Sequence, residues 1–224
     1  MSERPSVVVF DVNETLSDLE PLAHRFTEVG APPLLMRVWF AGVLRDGFAL
    51  AAVGAAGSFA VLAAEGLRGL LAGMPLDREL DAAVDHVMAG FGALEVHPDV
   101  PDGVRALRSA GYRLVTLTNG ASQVAERLLT GAGLRDEFDE LLSVDDADGW
   151  KPTRAAYAYA AAACGVDPAD MMLVAVHPWD IDGARRAGLR AAWVNRGGAP
   201  YPGSFTSPTV TASSLVELAR LLGS

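Results

Sequence analysis

The sequence predicts an α/β fold: a doubly wound parallel sheet with a helical insertion directly after its first strand. Three observations predict it. Short, nearly continuous apolar runs recur along the chain, as suits strands buried on both faces of a parallel sheet. Stretches with helical spacing separate them, and strand–helix–strand alternation marks an open α/β sheet. The segment from 16 to 96 breaks that rhythm, with helical periodicity and no convincing strand.

In chain order, Ser6-Val7-Val8-Val9-Phe10 is the first apolar run and ends in Asp11. Leu19, Leu22, Ala23 and Phe26, then Leu35, Val38, Trp39 and Val43, carry the helical spacing of the insertion. Pro98 and Pro101 mark the return to the sheet. A helix over Asp102–Ala110 precedes the run Tyr112–Leu117, and a second helix covers Ala121–Leu129. The alanine-rich stretch Arg154–Ala163 is helical and leads to the run Asp170–Val176. Asp180–Ala187 is a helix stopped by Gly188, before the run Leu189–Val194. Gly197–Pro208, rich in Gly, Pro and Ser, is a loop before a last helix. Residues 1–15 and 97–224 therefore form the sheet core, and 16–96 the helical insertion.

The composition narrows the partners. The 224 residues carry a formal net charge of −10, with a sequence pI near 4.8. Nucleic acid and anionic membrane both require clustered Lys and Arg, so neither is expected. An anionic substrate needs a local cationic pocket. Cys164 is the single cysteine, so no internal disulfide forms and a reducing cytoplasm is the natural setting. The start, Met1-Ser2-Glu3-Arg4-Pro5, lacks the charged-then-apolar order of a signal peptide. Gly47–Ala64 is uncharged but is mostly Ala and Gly, which reads as a packed helix or helix pair rather than a membrane span. That stretch could serve a homodimer interface.

In an open α/β sheet, ligands sit beyond the carboxyl ends of the strands. Those ends carry Asp11, Thr118-Asn119 and His177-Pro178-Trp179-Asp180, with Lys151 following the acidic segment Asp145-Asp146-Ala147-Asp148. These groups are expected on one edge facing the insertion, as in a lidded active site.

Four segments resemble the haloacid dehalogenase superfamily. They are Phe10-Asp11-Val12-Asn13-Glu14-Thr15-Leu16, Thr116-Leu117-Thr118-Asn119-Gly120, Lys151-Pro152, and Trp179-Asp180 followed by Gly183-Ala184. Each is weak alone; together, in order and at strand ends, they are specific. The resemblance implies a Rossmann-like core, a helical cap in the inserted segment, and Asp11 as nucleophile. Phosphatases of the superfamily resemble Asp-x-Asp in the first motif, the second Asp protonating the leaving group; here that place is Asn13. His177 stands where phosphate-transfer members carry one of two acidic residues that help hold Mg²⁺, an ion that prefers oxygen ligands. Both differences favour similarity to the 2-haloacid dehalogenases, which act without metal, so neither metal nor cofactor is expected.

The implied chemistry is displacement of halide from a short 2-haloalkanoic acid, a small carboxylic acid, to give an aspartyl ester and then a 2-hydroxy acid. Halide leaves without a proton, so Asn13 is no handicap, and Asn13 instead faces substrate. Lys151 would keep Asp11 ionised by its opposite charge. By similarity Asp180 activates or orients the water, Thr15, Thr118 and Asn119 hydrogen-bond around the reacting groups, and Tyr157 and Trp179 belong to the site. Asp180 could also cap its helix, and Asp182 complement the helix dipole. The substrate carboxylate calls for an arginine fork; Arg37 is the best match, with Arg45 as alternative. Trp39 suits either a small apolar pocket or the core. The family pattern also places an aromatic residue two places after the nucleophile and Ser-x-Asn before the Trp-Asp; this chain has Asn13 and Ala175-Val176-His177. His177 could replace the lost groups as proton donor or acceptor. The alternatives are a phosphatase or other small-carboxylate hydrolase of the same fold, and an idle protein that binds a small acid or a partner.

Overall fold

Six parallel strands, in the order β3-β2-β1-β4-β5-β6, form the sheet of a computed structural model that describes residues 4–223. Met1–Glu3, the start of the signal-peptide reading, lie outside the described residues. The strands are β1 (Val7–Phe10), β2 (Arg113–Thr118), β3 (Glu140–Ser143), β4 (Met171–Ala175), β5 (Arg190–Val194) and β6 (Val210–Ala212). Val7, Val8, Val9 and Phe10 are all fully buried. A strand with no solvated face must be apolar at every position, which is why it reads as an unbroken run. β1 pairs with β2 on one side and β4 on the other, Phe10 opposite both Thr116 and Val174.

The described residues form two units, 4–17 with 96–223, and Asp18–Glu95. The first unit holds the sheet and the helices α5 (Val100–Ser109), α6 (Ser122–Gly131), α7 (Arg154–Cys164), α8 (Pro178–Ala187) and α9 (Leu215–Gly223). Its core joins Val8, Phe10, Leu114, Val174 and Val194 to Val104, Leu107 and Leu218 on the helices. Gly188, at φ 98°, ends α8 in the left-handed region that glycine enters without Cβ strain.

The second unit is helical: α1 (Leu22–Thr27), α2 (Leu35–Ala52), α3 (Phe59–Leu71) and α4 (Leu80–Phe91). Trp39 is its centre, 2% exposed, packed near Phe26, Phe40 and Phe91 and donating Nε1–H to Ala63 O at 2.8 Å. It is core, not pocket lining. The uncharged stretch around Gly54 and Gly57 becomes the turn between α2 and α3, and no helix among the described residues is long and apolar enough to cross a membrane.

Two strands escape the sequence reading, β3 and β6. β3 is half-exposed over Glu140 and Leu141, and β6 has three residues with Thr211 exposed. Each lies at an edge of the sheet, so neither needs a continuous apolar run.

Candidate active site

β1 lies where the chain order reverses, between β2 and β4, and an open α/β sheet binds its ligand beyond the carboxyl ends of strands at that point. Asp11 follows β1 and is fixed by its backbone N–H to Val174 O at 3.0 Å. His177 follows β4 as the N-cap of α8, Pro178 taking the first helical position. Asp180 lies inside the first turn of α8, so it does not cap the helix. Asp182 lies deeper and binds Arg186 Nε and the Thr206 N–H, both at 2.8 Å, which is a local tether rather than a dipole partner.

Lys151 sits at the centre. Its Nζ donates to Asp11 Oδ1 at 2.8 Å and to Asp180 Oδ2 at 2.7 Å. Lys151 and Asp180 are fully buried and Asp11 is 4% exposed. A buried ammonium is costly to desolvate, and two carboxylates at hydrogen-bond distance offset that cost. Tyr157, also fully buried, donates its hydroxyl to Asp180 Oδ1 at 2.6 Å. Asp180 thus has both oxygens bonded. Asn119 bonds the backbone of Lys151 twice, accepting the Lys151 N–H at 2.9 Å and donating to its carbonyl at 3.3 Å. It positions the lysine rather than bonding Asp11. Thr118 closes the turn after β2 by accepting the Gly120 N–H at 3.0 Å.

The second oxygen of Asp11 is held from the other side. Thr15 donates Oγ1–H to Asp11 Oδ2 at 2.7 Å and accepts the Val176 N–H at 3.1 Å. His177 Nδ1 is 3.1 Å from the same Oδ2, while its Nε2 is 2.7 Å from Glu14 Oε2. Ionised carboxylates only accept, so bonds to both require protons on both ring nitrogens, and His177 is an imidazolium. Trp179 stacks on that ring at 5.1 Å between centroids and lies 5.9 Å from the Lys151 ammonium.

Glu14 is the one non-glycine residue among the described ones with φ in the left-handed region, at 62°. Such a conformation costs about 1 kcal/mol or more and needs outside support. His97 Nε2 supplies it by donating to Glu14 O at 2.9 Å, and Arg196 donates to Thr15 O at 3.0 Å while pairing with Asp99 at 3.0 Å. Glu14, His97 and Arg196 were not among the expected site residues. Arg196 was within reach of the sequence reading, since it follows the run Leu189–Val194 at a strand end.

The charges set one another. Burial opposes ionisation of Asp11, but the Lys151 charge and then the His177 hydrogen bond outweigh it and hold the carboxyl well below the usual carboxylate range. Burial pushes His177 down, yet its bonds to Asp11 and Glu14 lift it to about 9. Burial raises Asp180 above the usual range, with Lys151 opposing and Asp11 reinforcing the shift. Lys151 is raised because Asp11 and then Asp180 overcome its burial. Asp11 is therefore an ionised, buried, bonded carboxylate.

In the helical unit, Arg37 pairs with Glu20 and Arg45 with Asp46, all four side chains substantially exposed. Asn13 is partly buried next to Val12 in the loop after β1. Among the described residues no three His, Cys, Asp or Glu side chains gather as a metal cage. A magnesium ion, which asks for an oxygen shell, does not suit Asp11 oxygens that already face an ammonium, a hydroxyl and an imidazolium.

A family model described as haloacid dehalogenase-like hydrolase matches residues 5–188. The chain is 34% identical over 147 residues to an (S)-2-haloacid dehalogenase of Pseudomonas sp. (strain YL), covering 65% of this chain and 63% of that enzyme. The matched stretch thus spans less than two thirds of that relative. A solved structure of a dehalogenase with intermediate complex is 28% identical, with a TM-score of 0.92 and 100% of both chains covered. The L-2-haloacid dehalogenase of Xanthobacter autotrophicus with chloropropionic acid covalently bound is 27% identical, with a TM-score of 0.86 and 97% and 98% covered. The chain belongs to the haloacid dehalogenase-like hydrolase family.

Proposed function

We propose that this member of the haloacid dehalogenase-like hydrolases releases halide from short 2-haloalkanoic acids through an ester on Asp11. The observation that carries the reading is the Asp11 carboxylate itself, kept ionised chiefly by Lys151 in a nearly dry site. Displacement at carbon needs a deprotonated carboxylate. One Asp11 oxygen forms a bond to the α-carbon as the carbon–halogen bond breaks, and halide leaves with its electron pair. Position 13 is an amide, so a poor leaving group such as an alkoxide would lack an acid there. Water then adds to the ester carbonyl, the ester C–O bond breaks, and the 2-hydroxy acid departs.

The remaining roles follow. Lys151 holds Asp11 ionised and tethers Asp180. At 2.8 Å and an effective dielectric of about 20, the attraction between Lys151 and Asp11 is about 6 kcal/mol before desolvation is subtracted. Tyr157 fixes Asp180, Asn119 fixes Lys151, and Thr15 orients Asp11. Arg37 is the proposed grip on the substrate carboxylate, with Asn13 and Trp179 on the substrate side. The catalytic core comprises residues 1–15 and 97–224, and the helical cap residues 16–96. A cytoplasmic setting fits the single, buried Cys164. A homodimer fits the exposed Leu34, Val38, Val53 and Val61 of the helical unit, and sedimentation at two concentrations tests it.

The test of the activity is halide release. The protein is incubated in EDTA with chloro-, bromo- and fluoroacetate and with both 2-chloropropionate enantiomers, and free halide is measured. In parallel, phosphate release from a generic ester is measured with Mg²⁺. Halide in EDTA is the expected result; phosphate release with no halide from any haloacid would overturn the reading. Arg37→Ala should raise KM strongly, and the same rise from Arg45→Ala instead would transfer the anchor role.

A further inference from the structure

We propose that His177, held by Glu14, is the acid–base catalyst that hydrolyses the Asp11 ester. The proposal rests on the dehalogenase reading and deepens it.

The geometry singles out His177. Its Nδ1 lies 3.1 Å from Asp11 Oδ2, an atom of the group that becomes the ester. Its Nε2 is anchored 2.7 Å from Glu14 Oε2, so the ring cannot turn away without losing a charged bond. The ring is 12% exposed at the side chain, against none for Asp180, so a water can approach it. Asp180 has both oxygens engaged, by Tyr157 and Lys151. The strained turn at Glu14, supported by His97 and Arg196, has an evident use here: it carries a carboxylate to the far nitrogen of the ring.

The charge logic changes between the two half-reactions. Facing the ring are Asp11 and Glu14, with the Lys151 ammonium across the Asp11 carboxylate, Asp180 beyond it, and Trp179 stacked alongside. In the resting site the two carboxylates keep the ring doubly protonated. Alkylation removes the Asp11 charge, and with it the strongest support for the imidazolium. The ring then loses its Nδ1 proton to solvent, the one proton that hydrolytic dehalogenation releases overall.

Neutral His177 is a base aimed at the ester. Nδ1 takes a proton from water as the water oxygen bonds to Asp11 Cγ. The tetrahedral centre collapses with breakage of the Cγ–O(alkyl) bond, and the Nδ1 proton goes to the departing alkoxide, giving the 2-hydroxy acid. Asp11 is left as a carboxylic acid and returns its proton to Nδ1, restoring the resting ion pair. Glu14 is a positioning residue: it fixes the ring orientation and sets its basicity.

The experiment is a rapid-quench time course with chloroacetate, comparing wild type with His177→Ala, His177→Gln and Glu14→Gln. Halide and intact protein mass are followed together. Both His177 variants should release about one halide per site in a first turnover, then turn over about 100-fold or more slower than wild type, as loss of an acid–base group predicts. Their protein mass should rise by one carboxymethyl group, held as an ester and located on the Asp11 peptide. His177→Gln keeps a polar side chain without the ring base and must also stall, which separates proton transfer from folding. Glu14→Gln should move the pH limb of ester hydrolysis to lower pH while the first halide appears normally. His177 variants that turn over within about 3-fold of wild type, or that lose the first halide together with turnover, would overturn the proposal alone. Absence of halide from wild type would overturn the dehalogenase reading, and the proposal with it.

Discussion

The two units treat charge in opposite ways. In the helical unit, among the described residues, no polar or charged side chain is buried; its interior is Trp39, Phe40, Phe59 and Phe91 with aliphatic neighbours. Its ions pair at the surface, as Arg68 does with Asp81 at 2.9 Å. In the sheet unit, Asp11, Lys151, Asp180, Thr15, Thr118 and Asn119 are all buried. Stability alone does not favour this, since buried ion pairs are often no better than apolar residues of the same volume. The strand ends are thus organised around a reaction, and the helical unit's interior around packing. A buried ionised carboxylate keeps its nucleophilicity by being cut off from bulk water while its charge is held by fixed donors.

Substitutions can break that contrast, starting with the largest effect. Asp11→Asn should lower halide release by roughly 10⁴-fold or more with little change in fold, measured by ion chromatography and circular dichroism. Lys151→Met should cost both activity and stability, since it leaves two buried carboxylates without their cation. A loss of about 3–5 kcal/mol in urea unfolding is expected. Trp39→Ala should cost a similar 3–5 kcal/mol through its cavity, but without the pH dependence that removal of a charge brings.

The next effect has a definite sign. His177 is raised from 6.5 to about 9 in the folded protein, so its contribution is complete below pH 6.5 and is lost as pH rises through 9. On the order of 3 kcal/mol should disappear across that window in wild type, and much less in His177→Gln, when urea midpoints are compared. Gly183→Ala is smaller, about 1–3 kcal/mol, because a Cβ there would lie 2.6 Å from both the Tyr157 hydroxyl and Pro152 Cβ. Its effect on activity, through Tyr157 and Asp180, should exceed its effect on stability. Arg68→Ala, on the helical unit's surface, should change stability by at most about 0.5 kcal/mol.

The same contrast explains what the sequence makes legible. β1, β2, β4 and β5 are visible because each is flanked on both sides and buried over nearly its whole length, so it is mostly apolar, with Arg113 and Arg190 only at half-buried strand starts. β3 and β6 are not, since Glu-Leu-Leu-Ser and Val-Thr-Ala at sheet edges satisfy their environments with mixed residues. Asp11, Lys151 and Asp180 are visible as short motifs at strand ends, and the structure brings them within 2.8 Å contacts of one another through Lys151. Glu14 is not, because its contact with His177 spans 163 residues and depends on a left-handed turn that no local pattern announces. Asn119 was expected beside the reacting groups but holds the lysine backbone instead, a distinction that depends on a bond across 32 residues.

In the proposed reaction Asp11 becomes covalently attached to substrate and is freed by water. A single turnover in ¹⁸O-water, with enzyme in excess over 2-chloropropionate, tests it directly. The label should appear in the Asp11 carboxylate, read by mass spectrometry of the peptide that contains it, and the 2-hydroxy acid of that turnover should be unlabelled. Label found in the product and absent from Asp11 would mean that water attacks the substrate directly, contradicting the account.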